Sequence, residues 1–222
     1  MSGSVANFAE ALPEVLPIFP LPGVLLLPRG RLPLVLFEPR YVNMALDALG
    51  HRRVIGVVQT KNPEPHPVPD DAPVYTIGCA GRITQFSETD DGRLLITLTG
   101  VSRFRIVGEL ELLRGYRRVT ADFGAFAGDE EDGDGTLADR PRLLDALPAY
   151  FRVKELEADW KAIGEADDEA LVTSLAMICP LAAEEKQALL ETNDIGERAE
   201  LLTWLIEMAA LEGGGTATNV RH

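Results

Sequence analysis

Residues 124–140 read GAFAGDEEDGDGTLADR, and this stretch decides how the rest of the chain is read. Its acidic, glycine-rich composition cannot bury apolar surface, so it predicts a mobile surface connection. Upstream of it hydrophobic residues recur at the period of strands, and downstream at the period of helices. The chain is therefore expected to be α+β, a β-rich half followed by a helical half.

In the upstream half, short apolar runs at residues 16–19, 24–27, 34–37 and 54–58 are punctuated by proline and glycine, as strands are. In residues 74–86, Tyr75, Ile77, Cys79 and Ile83 share one face at period two. SETDDGRLLITLTG (residues 87–100) predicts a hairpin, with Asp91-Gly92 supplying the positive φ of its turn. A further strand follows, with Phe104 and Ile106 on one side and Arg103 and Arg105 on the other, and residues 116–123 make the last. Many short antiparallel strands predict a closed or half-closed barrel. One helix interrupts them: Val42, Ala45, Leu46 and Leu49 follow helical spacing between Pro39 and Gly50, as a plug for an open barrel end.

In the downstream half, Leu143, Leu144, Leu147 and Phe151 predict a helix running past Trp160 to Ile163, kinked or started by Pro148. Asp167 or Asp168 caps a second, carrying Leu171, Leu175 and Ile178 and stopped by Pro180. A third covers residues 182–190. Asp194 with Glu197 opens a fourth, through Leu201, Leu202, Leu205, Ile206 and Ala209 to Gly213. Four helices on short connections predict a four-helix bundle, with Trp160 and Trp204 in its core. The expected layout is a flexible N-terminus over 1–14, the β-rich unit over 15–123, the linker over 124–139, the helical unit over 140–212 and a disordered tail over 213–222.

Charge follows the same division. The net charge is -14, from 21 Lys/Arg and 35 Asp/Glu among 222 residues. Residues 1–123 hold 13 of each sign, so the whole excess lies beyond residue 123. That balance disfavours nucleic acid and anionic membranes as partners. No apolar run approaches the roughly 20 residues of a membrane span. The first 17 residues lack a signal peptide's basic start and apolar stretch. With only Cys79 and Cys179, a disulfide framework or a four-cysteine zinc site is not expected, and the cytoplasm is the default compartment.

Several stretches are similar to the Lon N-terminal domain family, which also occurs in cereblon and as free-standing bacterial proteins. LPIFPLPGVLLLPRGRLPLVLFEPRY at 16–41 resembles the family's opening block, and IGVV at 55–58, GCAGRI at 78–83 and LITLTGVSRFRI at 95–106 follow in the family's order. DEALVTSLAM at 168–177 and PLAAEEKQALLE at 180–191 resemble the free-standing members, so the likeness covers most of residues 16–211. It implies a PUA-like pseudo-barrel ahead of the helical bundle. It also implies a stand-alone, non-catalytic module that recognises unfolded polypeptide or a partner protein, as this domain does within full-length Lon.

No G-x-x-x-x-G-K-[ST] loop is present to cradle phosphates. Ser174 and Lys186 fall on different predicted helices, which argues against a nucleophile–base pair. His51, His66 and His222 are scattered, with no metal-ligand spacing, so neither metal nor cofactor is expected. The carboxylate pairs at 70–71, 90–91 and 167–168 sit in turns or caps. The candidate polypeptide-binding residues are Glu38, Arg40 and Tyr41, as a polar rim with aromatic contact area, together with Arg82 and Arg103 from a basic sheet face shared with Arg105. RNA binding is the alternative function, since PUA-like barrels elsewhere bind RNA and Arg29, Arg31, Arg40, Arg52 and Arg53 lie in the neutral half. Against it, aromatics are not interleaved with those basic residues. The oligomeric state is not set by the sequence.

Overall fold

The computed structural model describes residues 12–62, 67–130 and 137–216. Most of the expected N-terminal segment and tail, the centre of the linker, His66 and His222 lie outside them.

Six strands make one sheet: β1 (Val15–Pro20), β2 (Arg31–Leu36), β3 (Val54–Val58), β4 (Ile77–Glu88), β5 (Leu94–Leu113) and β6 (Tyr116–Asp122). Their order is β2-β5-β4-β3-β1-β6, and β6 pairs again with β5. That second pairing closes β5, β4, β3, β1 and β6 into a ring and leaves β2 on an edge. Only β1 and β3 run parallel; the other pairs are antiparallel.

The closure depends on one long strand. β5 spans 20 residues, pairing with β2 through residues 94–99 and with β6 through residues 105–113. The hairpin expected at 87–100 forms between β4 and β5, and its second strand and the later strand expected from the sequence are one element. Gly100 lies between the two pairings, where residues 27–30 cross close above it. Arg29 N donates to Gly100 O at 2.8 Å, Gly100 N donates to Gly30 O at 2.8 Å, and a Cβ at Gly100 would stand 1.9 Å from Leu27 O. Only glycine fits there. This crossing also corrects the strand expected at 24–27. Leu25, Leu26 and Leu27 are consecutive and all buried, in an irregular loop wrapped over the sheet.

The ring interior holds a small cluster of Leu16, Ile18, Val54, Val58, Ala80, Phe104, Val119 and Ala121. Phe104 fills the middle, and Gly56 supplies its space: a Cβ there would lie 2.7 Å from both Leu16 Cδ2 and Phe104 Cζ. A larger apolar cluster begins on the strands' other faces, with Ile55, Val57, Ile77 and Cys79, and continues into the helices.

α1 (Pro39–Leu49) packs on β1, β3 and β6 through Tyr41, Met44, Ala45 and Ala48, so its inner face is turned from the expected stripe and Leu46 is exposed. A 3-10 segment, Gly124–Glu130, follows β6. Its Phe126 is buried and its Asp129 pairs with Arg103, so this part of the acidic stretch is anchored rather than loose.

Five helices complete the chain: α2 (Arg140–Val153), α3 (Trp160–Glu165), α4 (Asp168–Ile178), α5 (Ala183–Glu191) and α6 (Ile195–Thr216). The single helix expected through Ile163 is two, because Glu155 takes a left-handed conformation at φ 54 after α2. Leu156 N then donates to Phe151 O at 2.8 Å and Glu155 N to Arg152 O at 3.4 Å, which closes α2 as a Schellman end. Pro148 neither starts nor ends α2; it sits on the exposed side, inside the helix, at the loss of one ladder bond. Asp139, Asp167 and Asp194 cap α2, α4 and α6 by accepting from backbone N–H groups. α6 packs against α2, α4 and α5. Trp160 and Trp204, expected in the core, are both about half exposed.

Candidate functional site

The Glu38–Tyr41 stretch opens α1, and its side chains are spent on one another. Arg40 donates to Glu38 Oε2 through Nε at 3.0 Å and Nη2 at 2.8 Å, to Val68 O at 2.7 Å and to Asp70 Oδ1 at 2.5 Å. Its guanidinium carbon lies 4.5 Å from the Tyr41 ring centroid, and Phe19 stacks at 4.2 Å from Tyr41. Burial acts to lower the Arg40 pKa, but hydrogen bonds to Glu38 and Asp70 and the field of Glu38 outweigh it and raise the group. Burial first, then the nearby carboxylates, push the Tyr41 phenol up to about 12. The result is a permanently charged clamp on the 68–72 loop, whose far end is held by Arg117 donating to Ala72 O at 2.8 Å. Tyr41 is 5% exposed and offers no contact area, a correction to its expected role. Glu38 and Arg40 keep a partly exposed polar rim.

Arg103 is not on a basic face. It is 3% exposed and points into the seam between sheet and helices. There it pairs with Asp129 at 2.6 Å and donates to Leu190 O at 3.1 Å and Thr192 O at 2.8 Å. Arg105, two residues on, is exposed, so the two do not share a surface. Arg82 is partly exposed, donates to Arg52 O at 3.1 Å, and lies opposite Thr99 on β5.

That last register leads to a surface missed in the sequence. Across β2, β5 and β4 the outward residues form three rows: Arg31–Thr99–Arg82, Pro33–Thr97–Gln85 and Val35–Leu95–Ser87. The first row is basic. The second is polar, Thr97 donating to Gln85 Oε1 at 3.0 Å, with Thr84 and Thr99 hydroxyls 3.1 Å apart beside it. The third is apolar at Val35 and Leu95, and Phe37 extends that patch, 67% exposed and next in the chain to Glu38. β2 pairs with no strand on its far side among the described residues, and Pro33 is tolerated there because the strand is an edge. RLPLVLF (residues 31–37) hid this surface, since apolar residues on both faces read as a strand buried on both sides, whereas only Leu36 is fully covered.

Hollows lie elsewhere among the described residues. One of about 430 Å³ runs between Arg29–Arg31 and α4, with Met177 over Gly30. Another of about 630 Å³ lies between Val15, His51 and the β5–β6 turn. Ser174 lines the first, while Lys186 is buried and donates to Gly23 O at 3.1 Å and Met177 O at 3.2 Å, so the structure does not pair them. No cluster of ligating side chains that could hold a metal occurs among the described residues. No helix among them is long and apolar enough to cross a membrane.

The family model of the ATP-dependent protease La (LON) substrate-binding domain matches residues 15–207. Lon protease of Dictyoglomus thermophilum is 26% identical over 208 residues, covering 93% of this chain and 26% of that protein. Lon protease 2 of Myxococcus xanthus is 28% identical over 203 residues, covering 89% of this chain and 24% of that protein. The chain thus spans about a quarter of the length of these relatives. The crystal structure of a Lon N-terminal domain protein from Xanthomonas campestris superposes with a TM-score of 0.58 at 26% identity, covering 86% of this chain and 98% of that one. The N-terminal domain of a Mycobacterium avium complex Lon protease gives 0.61 at 16% identity over 86% and 97%, a likeness of fold. The chain belongs to the LON substrate-binding domain family.

Proposed function

We propose that this member of the family is a non-catalytic, cytoplasmic polypeptide-recognition module that holds an extended apolar segment of an unfolded or partner protein. The carrying observation is the open β2 edge beside the Val35–Leu95–Phe37 patch. An edge strand offers main-chain hydrogen bonds to any extended sequence, and alternate side chains of that sequence then fall on the adjoining face. Val35, Leu95 and Phe37 would take apolar side chains, and Arg31 and Arg82 a polar or acidic neighbour. Glu38 and Arg40 form the rim, while Tyr41 and Arg103 act from beneath by fixing the clamp and the seam.

Affinity is expected near micromolar, because ordering a flexible segment costs several kcal/mol of the contact energy. The test is a titration of a fluorescent, apolar extended peptide, and separately of single-stranded RNA, against the whole protein and its Phe37→Asp variant. Peptide binding that changes little with salt and weakens about tenfold or more in the variant, at an unchanged melting temperature, supports the reading. Tight RNA binding with a steep salt dependence and no peptide binding overturns it in favour of an RNA-binding role.

A further inference from the structure

α6 has two apolar faces, and only one is used. Leu202, Leu205 and Ile206 are buried in the main cluster, whereas Trp204, Met208 and Leu211 are exposed, Trp204 by 52%. With the half-buried Leu201 they fall at 201, 204, 208 and 211. This 3-4-3 spacing is that of a coiled-coil seam, and it extends along about 15 Å of helix. Leu201 leans on the main cluster and bounds this face on one side, while Trp204, Met208 and Leu211 stay substantially exposed.

The edges of the seam say what fits it. With Leu201 and Met208 as a positions and Trp204 and Leu211 as d positions, Glu200 and Glu207 take g positions and Glu212 an e position. Glu207 is paired with Arg142 of α2, at 2.6 Å, and every other charge on these edges is acidic. A second copy would bring like charge to like: Glu207 against Glu212 in a parallel pair, Glu200 against Glu207 in an antiparallel one. The net charge of -14 adds to that repulsion. A helix with basic edges meets the opposite condition.

We propose that the Leu201–Trp204–Met208–Leu211 face docks an amphipathic α-helix of a partner protein, apolar at its own a and d positions and carrying Lys or Arg at its e and g positions. This site is separate from the β2 edge: it reads a preformed helix by side-chain interdigitation and edge charge, where the strand edge reads extended chain by main-chain bonds. One chain could therefore hold an unfolded segment and a helical partner together.

The test uses the whole protein in a Trp160→Phe background, which leaves Trp204 as the sole tryptophan. The probe is a synthetic peptide of about three heptads with Leu at a and d and Lys at e and g. Docking is expected to shift Trp204 emission to the blue. Met208→Asp and Leu211→Asp should each weaken binding about tenfold or more, with Met208→Leu retaining it and Phe37→Asp leaving it unchanged. Equal binding of a scrambled or Glu-edged peptide, or indifference to both Asp variants, overturns the proposal. Concentration-dependent dimerisation lost in Met208→Asp also overturns it, by making a second copy the occupant.

Discussion

Arg103 and Phe104 are neighbours in β5 and belong to two differently built regions. Phe104 points into the strand ring, where every member of the cluster is apolar and Gly56 yields it room. Arg103 points the other way, into the seam where the sheet meets the helices. The seam shares a broad apolar cluster, but it is stitched by polar groups. Arg103 pairs with Asp129, Gln59 Nε2 donates to Ala183 O at 3.1 Å, and Gln187 Nε2 donates to Ile77 O at 3.1 Å. Arg198, buried beside them, donates to Leu189 O at 2.9 Å and Thr192 O at 2.6 Å. Burial, then the charge of Arg103, hold Arg198 down at about 10. The ring is thus held by shape and the seam by polar bonds between sheet and helices, although Gln59 Oε1 is buried there without a partner. Damage to the first leaves a void, while damage to the second leaves an unpaired charge.

The ring should show the largest loss. Phe104→Ala removes a fully buried ring from the middle of the strand ring, and should cost about 4 kcal/mol in urea unfolding. A loss under about 1 kcal/mol would mean that the ring interior repacks freely, and its contrast with the seam would fall.

The seam should answer through charge. Asp129→Asn is nearly isosteric, yet it leaves Arg103 and Arg198 buried together without a neutralising anion, and should cost about 3 kcal/mol. Hydrogen exchange should rise first in α5 and α6 rather than in β3 and β4. Equal exposure of strands and helices would show that the two regions open as one.

At the start of the helical half a weaker tie repeats the pattern. Asp168 accepts from Leu137 N at 2.8 Å and from Arg140 at 2.5 Å. Those bonds, the backbone one first, hold its carboxyl below the ordinary aspartate range. A depressed folded pKa means that this stability is complete above the unfolded value, about pH 4, and is lost as pH falls through the folded one. Asp168→Asn should cost about 1 kcal/mol at neutral pH, allowing for its partial exposure, and the difference from wild type should vanish in acid. A difference that persists unchanged below about pH 3 would place the loss in packing rather than charge.

The sequence carried the ring better than the seam. β1, β3, β6 and the capping aspartates announce themselves through local pattern, because period, proline and cap chemistry are set within a few residues. The seam could not be read that way. Phe126 and Asp129 stand alone in an acidic, glycine-rich background, and only the distant Arg103 makes sense of them. The end of α2 rests on a glutamate in a conformation usually left to glycine. In the candidate site, Glu38 and Arg40 are legible as a polar rim. Val35, Phe37 and Leu95 are not, because exposure of one face of an apolar strand depends on what the rest of the chain leaves uncovered.

The smallest effect should come from the residue that local periodicity placed in the core. Trp204 lies among Leu201, Leu202, Leu205 and Ile206, where periodicity alone assigns any apolar residue to the helical stripe. The helix turns about 100° per residue, however, and the buried face follows Leu202, Leu205 and Ile206, which puts Trp204 opposite. Trp204→Ala should therefore change unfolding stability by no more than about 0.5 kcal/mol, against about 4 for Phe104→Ala. The same substitution should weaken the Lys-edged helical peptide, because binding uses the face that folding leaves free. A loss of about 3 kcal/mol or more would return Trp204 to the core and remove the second face of α6.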